Sequence, residues 1–273
     1  MAERVKVAVL QMTSRSDVEQ NMQTLERLTT RAAKDGAKLV VAPECFAVLG
    51  PDNEKLKIAE PLPEGGPILA RCQKLARELK IELVLGGFWE KGEQPGFVRN
   101  SCVFVGAEGA VNAVYRKVHL FDVDLPDGTK LEESATVEPG DEAVVTDSVA
   151  GRMGLTVCYD VRFPELYRQL VDLGATVFAV PAAFTLTTGK DHWHVLLRAR
   201  AIESQCYVLA AAQTGHHHGN RNSYGHALIV DPWGVVLAEC GEGEGIAMAE
   251  IDPDVTARIR KSLPSLEHRR IRS

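Results

Sequence analysis

The sequence lacks any apolar run long enough to span a bilayer. The stretch inside MAERVKVAVLQM is too short for a membrane span and carries no secretory cleavage pattern. No membrane association is expected, and the chain is read as cytoplasmic. It also lacks any Cys-x-x-Cys pair. Its cysteines, at positions 45, 72, 102, 158, 206 and 240, are scattered, which argues against a disulfide framework or a structural zinc site and predicts reduced thiols. Positive charge is in deficit, with 31 Lys and Arg against 37 Asp and Glu, so no broad basic field exists to hold a nucleic-acid backbone. The basic run from His268 to Arg272 reads as a solvated C-terminal segment. There is no linker rich in Pro, Gly or Ser and no low-complexity tract, and the expectation is one domain over residues 1–273.

What is present is ordinary globular composition, 45% hydrophobic and 25% charged, with material for a large core. Val5 to Gln11 reads as a strand. Ser16 and Glu19 form a capping box for a helix that Gly36 closes, and Lys38 to Ala42 returns as a buried strand stopped by Pro43. A helix from Pro67 to about Lys80 and a strand from Glu82 to Gly86 continue the alternation. Phe97 to Tyr115 holds two strand-like runs joined around Glu108-Gly109, which adds antiparallel pairing. Arg116 to Gly140 has little periodicity and is the longest irregular stretch, the kind that tends to carry function. Strands at Ala143 to Ser148 and Met153 to Val157, a helix from Pro164 to near Gly174 and a strand from Ala175 to Val180 resume the rhythm. A helix from Lys190 to Gln205 and a strand from Tyr207 to Ala211 follow. Asp231 to Gly234 then makes a turn between strands Tyr224 to Val230 and Val235 to Cys240, before a last strand and a helix from Pro253. The fold class expected is α/β, with mixed sheets and helices on the outer faces.

Three polar residues sit just past these strands: Glu44 after KLVVAP, Lys117 after VNAVYR and Cys158 after GLTV. Carboxyl ends of strands are where ligands and catalytic groups gather in α/β sheets. Cys158 lies where a strand turns quickly toward the helix at Pro164, a turn that can expose the sulfur and aim backbone N–H groups at an oxyanion. Alone, a strand-end cysteine is more often inert packing. A thiol of pKa near ~8.5 is mostly protonated at neutral pH and needs a base or a cation beside it. Candidate bases include His119, His192, His194, His226 and the run His216-His217-His218. A carboxylate with a lysine serves equally well, Glu44 taking the proton and Lys117 stabilising the charge. The histidine run could bind metal, but a pocket-shaping or solvated loop is the stronger reading, and no metal or other cofactor is expected.

VVAPE ending at Glu44, YRKVHLFD around Lys117 and CYDVRFPEL around Cys158 resemble, in order, the three catalytic blocks of the nitrilase superfamily of carbon–nitrogen hydrolases. The resemblance runs from Val5 to about Arg270. It implies a four-layer α-β-β-α sandwich with mixed sheets and a Glu44, Lys117, Cys158 triad acting on a carbon–nitrogen bond. It also implies a second glutamate, which KLEESATVEPGD puts at Glu133, beside Glu132, to hold Lys117 and orient the leaving nitrogen. The backbone N–H of Tyr159 joins Lys117 around the oxyanion. Tyr159 stands where true nitrilases usually have Trp, and the single Arg162 falls short of the adjacent arginine pair of carbamoylases, so an amide is expected.

DHWHVLLRARAIESQCYVLAAAQ and NSYGHALIVDPWG are most similar to the deaminated glutathione amidase branch, although Lys190 stands where Pro or Glu is more usual. That branch splits deaminated glutathione into 2-oxoglutarate and cysteinylglycine. The related omega-amidases, which release ammonia from 2-oxoglutaramate or 2-oxosuccinamate, share the PAAFTLTTG-like and HLFDVDLP-like segments and remain an alternative, as does a non-enzymatic binding scaffold. The expected substrate is a small anionic amide. Arg162 is a candidate for its carboxylate or for an internal acid such as Glu165. Phe184 and Thr185 are candidate pocket residues, with Phe184 equally suited to the core. Resemblance further implies a homodimer or a larger homo-oligomer.

Overall fold

The computed structural model describes residues 4–124 and 130–271. In chain order the first half runs β1 (Val5–Met12), α1 (Val18–Lys34), β2 (Leu39–Ala42), α2 (Asp52–Ile58), α3 (Pro67–Leu79), β3 (Glu82–Lys91), β4 (Val98–Val105) and β5 (Val111–Arg116). A small antiparallel pair, β6 (Asp122–Asp124) with β7 (Lys130–Glu132), precedes a 3-10 turn at Glu133–Ala135. Then come β8 (Val144–Ser148), β9 (Gly151–Leu155), a 3-10 turn at Cys158–Arg162, α4 (Pro164–Asp172), β10 (Val177–Ala179), α5 (Leu186–Ser204) and β11 (Tyr207–Ala210). The chain continues through β12 (Ala212–His218), β13 (Arg221–Tyr224), β14 (Leu228–Val230), β15 (Val236–Glu239), β16 (Gly245–Ile251) and α6 (Pro253–Ser262).

Two main sheets result. The first has the order β13-β12-β1-β2-β3-β4-β5 with β16 antiparallel to β1, and the second β15-β14-β11-β10-β9-β8. Both mix parallel and antiparallel pairs. Side chains alternate across a strand, and here both faces of the first sheet are apolar. Val7, Val9, Leu39 and Val41 face inward and share a core with Met153, Leu155, Val177 and Ala179 of the second sheet. Ala8, Leu10 and Val40 face outward against Met22, Leu25 and Leu28 of α1 and Leu69 and Cys72 of α3. On the far side, Phe178 packs with Leu170 of α4 and Trp193 and Leu197 of α5. The layers are therefore α-β-β-α. Burying each large aliphatic side chain in such a core stabilises by about 1.5–3 kcal/mol.

The structure moves several boundaries. The cap of α1 is Asp17, whose carboxylate accepts from Gln20 N, rather than Ser16. Gly36, at φ 97°, does terminate that helix. Helix α2 was not expected: its seven residues bury only Lys55 and show no apolar stripe. Helix α5 starts at Leu186, earlier than Lys190, because Thr185 already has extended cap geometry. The strand read from Tyr224 to Val230 is broken in two, since Gly225 and His226 both take positive φ.

Two adjacent glycines in β3 bring the sheets together where the candidate residues emerge. A Cβ at Gly86 would lie 2.0 Å from Pro181 Cβ, and one at Gly87 would lie 2.3 Å from Cys45 N and 2.7 Å from Glu44 Cγ. Any larger residue would push away either the loop after β10 or the one after β2.

Candidate active site

Strand direction delivers the groups to one end of the sandwich. Glu44 follows β2 and Lys117 follows β5, two strands of the first sheet whose carboxyl ends share an edge. Cys158 follows β9 of the second sheet. Its backbone N–H donates to Pro181 O at 2.9 Å, and it holds φ at 49°, in the left-handed region. Such a conformation costs about 1–3 kcal/mol for a non-glycine residue and persists only where surroundings enforce it.

Asp160 supplies that enforcement. It is fully buried, and its Oδ2 accepts from Val157 N at 2.8 Å and Tyr115 Oη at 2.7 Å. Its Oδ1 accepts from His119 N at 3.2 Å and contacts His119 Nδ1 at 2.8 Å. The His119 ring stacks on Phe163 at 3.7 Å, closing the turn from outside. The carboxylate thus ties the nucleophile loop to the end of β5, next to Lys117.

Glu44, Lys117, Glu133 and Cys158 meet at the floor of a cleft of about 1300 Å³. Lys117 Nζ donates to Glu44 Oε1 at 3.1 Å and to both oxygens of Glu133, at 3.1 and 2.8 Å. Asn100, which pairs with Lys117 through its carbonyl, bridges the two acids with its side-chain nitrogen, 2.9 Å from Glu44 Oε1 and 3.0 Å from Glu133 Oε1. Ala183 N donates to Glu44 Oε2 at 2.8 Å, and Phe121 N to Glu133 Oε2 at 2.7 Å. Glu133, not its neighbour Glu132, is the glutamate in contact.

These contacts set the charges. Burial works to raise the Glu44 pKa, but the Lys117 ammonium, the Cys158 thiol, Asn100 and the Ala183 N–H together hold it below the ordinary carboxylate value. Burial likewise opposes charge on Lys117, and the two glutamates override it, raising its pKa well above the usual value. For Cys158, burial and the Glu44 charge push the thiol pKa well up, beyond what Lys117 offsets. The resting set is two carboxylates, an ammonium and a neutral thiol that donates to Glu44. Among the described residues, no imidazole is in hydrogen-bond contact with Glu44, Lys117 or Cys158. A thiol poised against a carboxylate, with a cation beside both, can lose its proton as the sulfur attacks. Tyr159 N lies in the first turn of the 3-10 segment, where N–H groups lack an intrahelical carbonyl.

A recess beside the sulfur is lined by Phe121, Arg162, Ala183, Phe184, Thr185 and Thr188. Arg162 makes no ion pair with Glu165. Its guanidinium lies 5.0 Å from the Phe184 ring and 5.8 Å from that of Tyr159, and its Nη1 is 3.2 Å from His192 Nδ1. Burial lowers its pKa, so it is a partly desolvated cation beside a recess of about 10 Å³. Phe184 serves both of its readings, lining the recess while packing on Trp193 at 5.1 Å. Thr185 bonds to Thr188 at 2.7 Å.

The histidine run lies on β12, so alternation sends its rings to opposite faces. His217 is buried between Ser14 O, 2.7 Å away, and Ser223 Oγ, 2.9 Å away, while His218 lines the cleft. Among the described residues, the one group with metal-ligating atoms close together is His194, His226 and Glu239, and none of them lines the cleft. Both imidazoles hydrogen-bond the same Glu239 oxygen, at 2.9 and 2.6 Å.

A family model for carbon-nitrogen hydrolases matches residues 6–261. A protein from Synechocystis named deaminated glutathione amidase is 48% identical over 265 residues, covering 96% of this chain and 97% of that one. The crystal structure of the Caenorhabditis elegans NitFhit protein superposes with a TM-score of 0.91 at 42% identity, covering 99% of this chain; this chain spans 66% of that longer protein. A glutamate variant of the amidase from Nesterenkonia sp. AN1, showing covalent addition of the acetamide moiety of fluoroacetamide at its active-site cysteine, matches at TM-score 0.80 and 27% identity over 97% of this chain. With a family match over nearly its whole length and a relative 48% identical across 96% of it, the chain belongs to the carbon–nitrogen hydrolases of the nitrilase superfamily.

Proposed function

We propose that this enzyme hydrolyses deaminated glutathione to 2-oxoglutarate and cysteinylglycine through a thioester on Cys158. The observation that carries the reading is the contact set of Cys158, Glu44, Lys117 and Glu133 on one cleft floor, in a chain whose Synechocystis relative bears the name of that activity.

In the reaction, the Cys158 sulfur attacks the amide carbonyl carbon as Glu44 takes the thiol proton. The oxyanion forms between Lys117 Nζ and Tyr159 N. As the carbon–nitrogen bond breaks, Glu44 returns that proton to the departing amine. Water then enters, loses a proton to Glu44 and splits the thioester, and the proton passes back to the Cys158 sulfur. Glu133 keeps Lys117 in place and faces the departing nitrogen. Arg162 receives the carboxylate of the 2-oxo acid half, with Phe184 and Thr185 shaping the recess. The enzyme works as a homo-oligomer. Support for this comes from the exposed apolar residues Val195, Ile202, Trp233 and Val235 of α5 and the β14–β15 turn, which are unusual on a solvated face.

The test is Cys158→Ala. It removes the acylated atom from a site whose packing is set by other groups, so the variant is expected to fold with wild-type stability, release no cysteinylglycine and form no acyl adduct by intact mass. Product release by Cys158→Ala overturns the mechanism.

A further inference from the structure

Arg221 lies on β13, at the edge of the first sheet. It lines the cleft, and its Nη2 donates to Ala183 O at 3.1 Å. Its Nη1 is buried and has no hydrogen-bond partner among the described residues. A buried guanidinium nitrogen without an acceptor is costly, and a planar cation with one free donor edge suits a carboxylate. The neighbouring cleft residues His218, Asn220 and Asn222 include no acid to occupy it.

The Ala183 peptide links this group to the chemistry, its carbonyl accepting from Arg221 and its N–H donating to Glu44 Oε2 at 2.8 Å. On the proposed mechanism Glu44 delivers the proton to the departing nitrogen, so the leaving half of the substrate begins at Glu44. Arg221 stands one peptide unit further along the same wall. An extended dipeptide spans at most about 7 Å, and its terminal carboxylate is directed along this wall toward Arg221. Arg162 does not line that cleft and sits instead at a small recess by the sulfur, beside Phe184.

We infer that Arg221 binds the carboxylate of the leaving half, selecting amides whose departing amine is a short peptide acid over amides that release ammonia. This rests on the substrate reading above and adds the residue that enforces it. Arg162 and Arg221 then supply one cation for each carboxylate of a dianionic substrate.

The experiment compares kcat/KM for deaminated glutathione with that for the same molecule capped as its C-terminal glycinamide, in wild type, Arg221→Met and Arg221→Lys. One charge-assisted contact is worth about 10²-fold. The wild type is expected to prefer the free acid by that factor, Arg221→Met to bring the ratio close to one and Arg221→Lys to fall between, with the change carried by KM. If Arg221 only steadies Ala183 and Glu44, its loss lowers both rates together and the ratio stays as in wild type, which overturns the inference. A wild-type ratio near one overturns it too, even if the Met variant does not fold. A wild type that turns over 2-oxoglutaramate but neither dipeptide amide instead removes the substrate reading, a different failure with its own signature.

Discussion

Replacing Asp160 by Asn tests whether the nucleophile is held in place by a buried carboxylate. Both oxygens face donors: Val157 N and Tyr115 Oη on one side, His119 N and His119 Nδ1 on the other. An amide offers one acceptor side only. The Tyr115 hydroxyl can rotate and the His119 ring can change tautomer, but the two backbone N–H groups cannot adapt. Whichever way the Asn is turned, one of them meets an NH₂ group. An orphaned backbone donor costs about 1–3 kcal/mol, and losing the ionic character of the remaining bonds adds about 1 kcal/mol. The sum is about 2–4 kcal/mol, or a Tm lowered by roughly 4–7 °C in a chain of this size. The loop also carries Cys158 at its unfavourable φ, so the sulfur should shift, and a displacement of about 1 Å can cost ~10² in rate. Urea unfolding and single-turnover acylation of the same variant measure both effects. Wild-type stability together with wild-type acylation would refute the argument.

Lys117→Ala removes the cation shared by two acids and one oxyanion donor, and kcat should fall by at least about 10²-fold; turnover within a few-fold of wild type would show that the oxyanion is held elsewhere. His217 gives a pH prediction. Burial lowers its pKa from the ordinary 6.5 to about 4, so the unfolded chain binds this proton more tightly than the folded one. Its contribution is fully present above pH 6.5 and is lost as pH falls through the folded value near 4, with about 2–3 kcal/mol gone by pH 4.5. The stability difference between wild type and His217→Gln, from urea titrations at pH 7.5 and 4.5, should shrink by that amount; a constant difference would place His217 in contact with solvent.

The layers were legible because apolar runs such as KLVVA write a buried strand into any reading, and Gly36 and Pro67 punctuate the helices. Glu44, Lys117 and Cys158 could be found since each follows such a run, although their meeting owes nothing to sequence distance: Glu44 and Lys117 are 73 positions apart. What stayed hidden is of two kinds. Asn100 and Arg221 are ordinary polar residues in strands, and only pairing register puts Asn100 beside Lys117 and folding of β13 over the cleft puts Arg221 beside Ala183. Asp160 was hidden in plain view, inside CYDVRFPEL, because a short acid after a strand reads as a turn former until its four partners are known. The Gly225-His226 break is hard to read because the apolar run Ala227 to Val230 lets Tyr224 to Val230 pass as one strand, and only their positive φ values split it.

The resting charges bear on why a carboxylate, and not an imidazole, partners this cysteine. With the thiol neutral, Glu44, Lys117 and Glu133 sum to one negative charge in a buried place. A resting thiolate with Glu44 still ionised would make two, and burial resists that strongly. On the proposed path the charge never rises. As sulfur attacks, its proton neutralises Glu44, and the negative charge reappears on the carbonyl oxygen. Lys117 touches Glu44 before the step and the oxyanion after it, so one ammonium serves both ends of the transfer with little rearrangement. The same logic explains a nucleophile that is inert until an amide arrives, because without a carbonyl to take the charge, deprotonation would leave it on the buried sulfur.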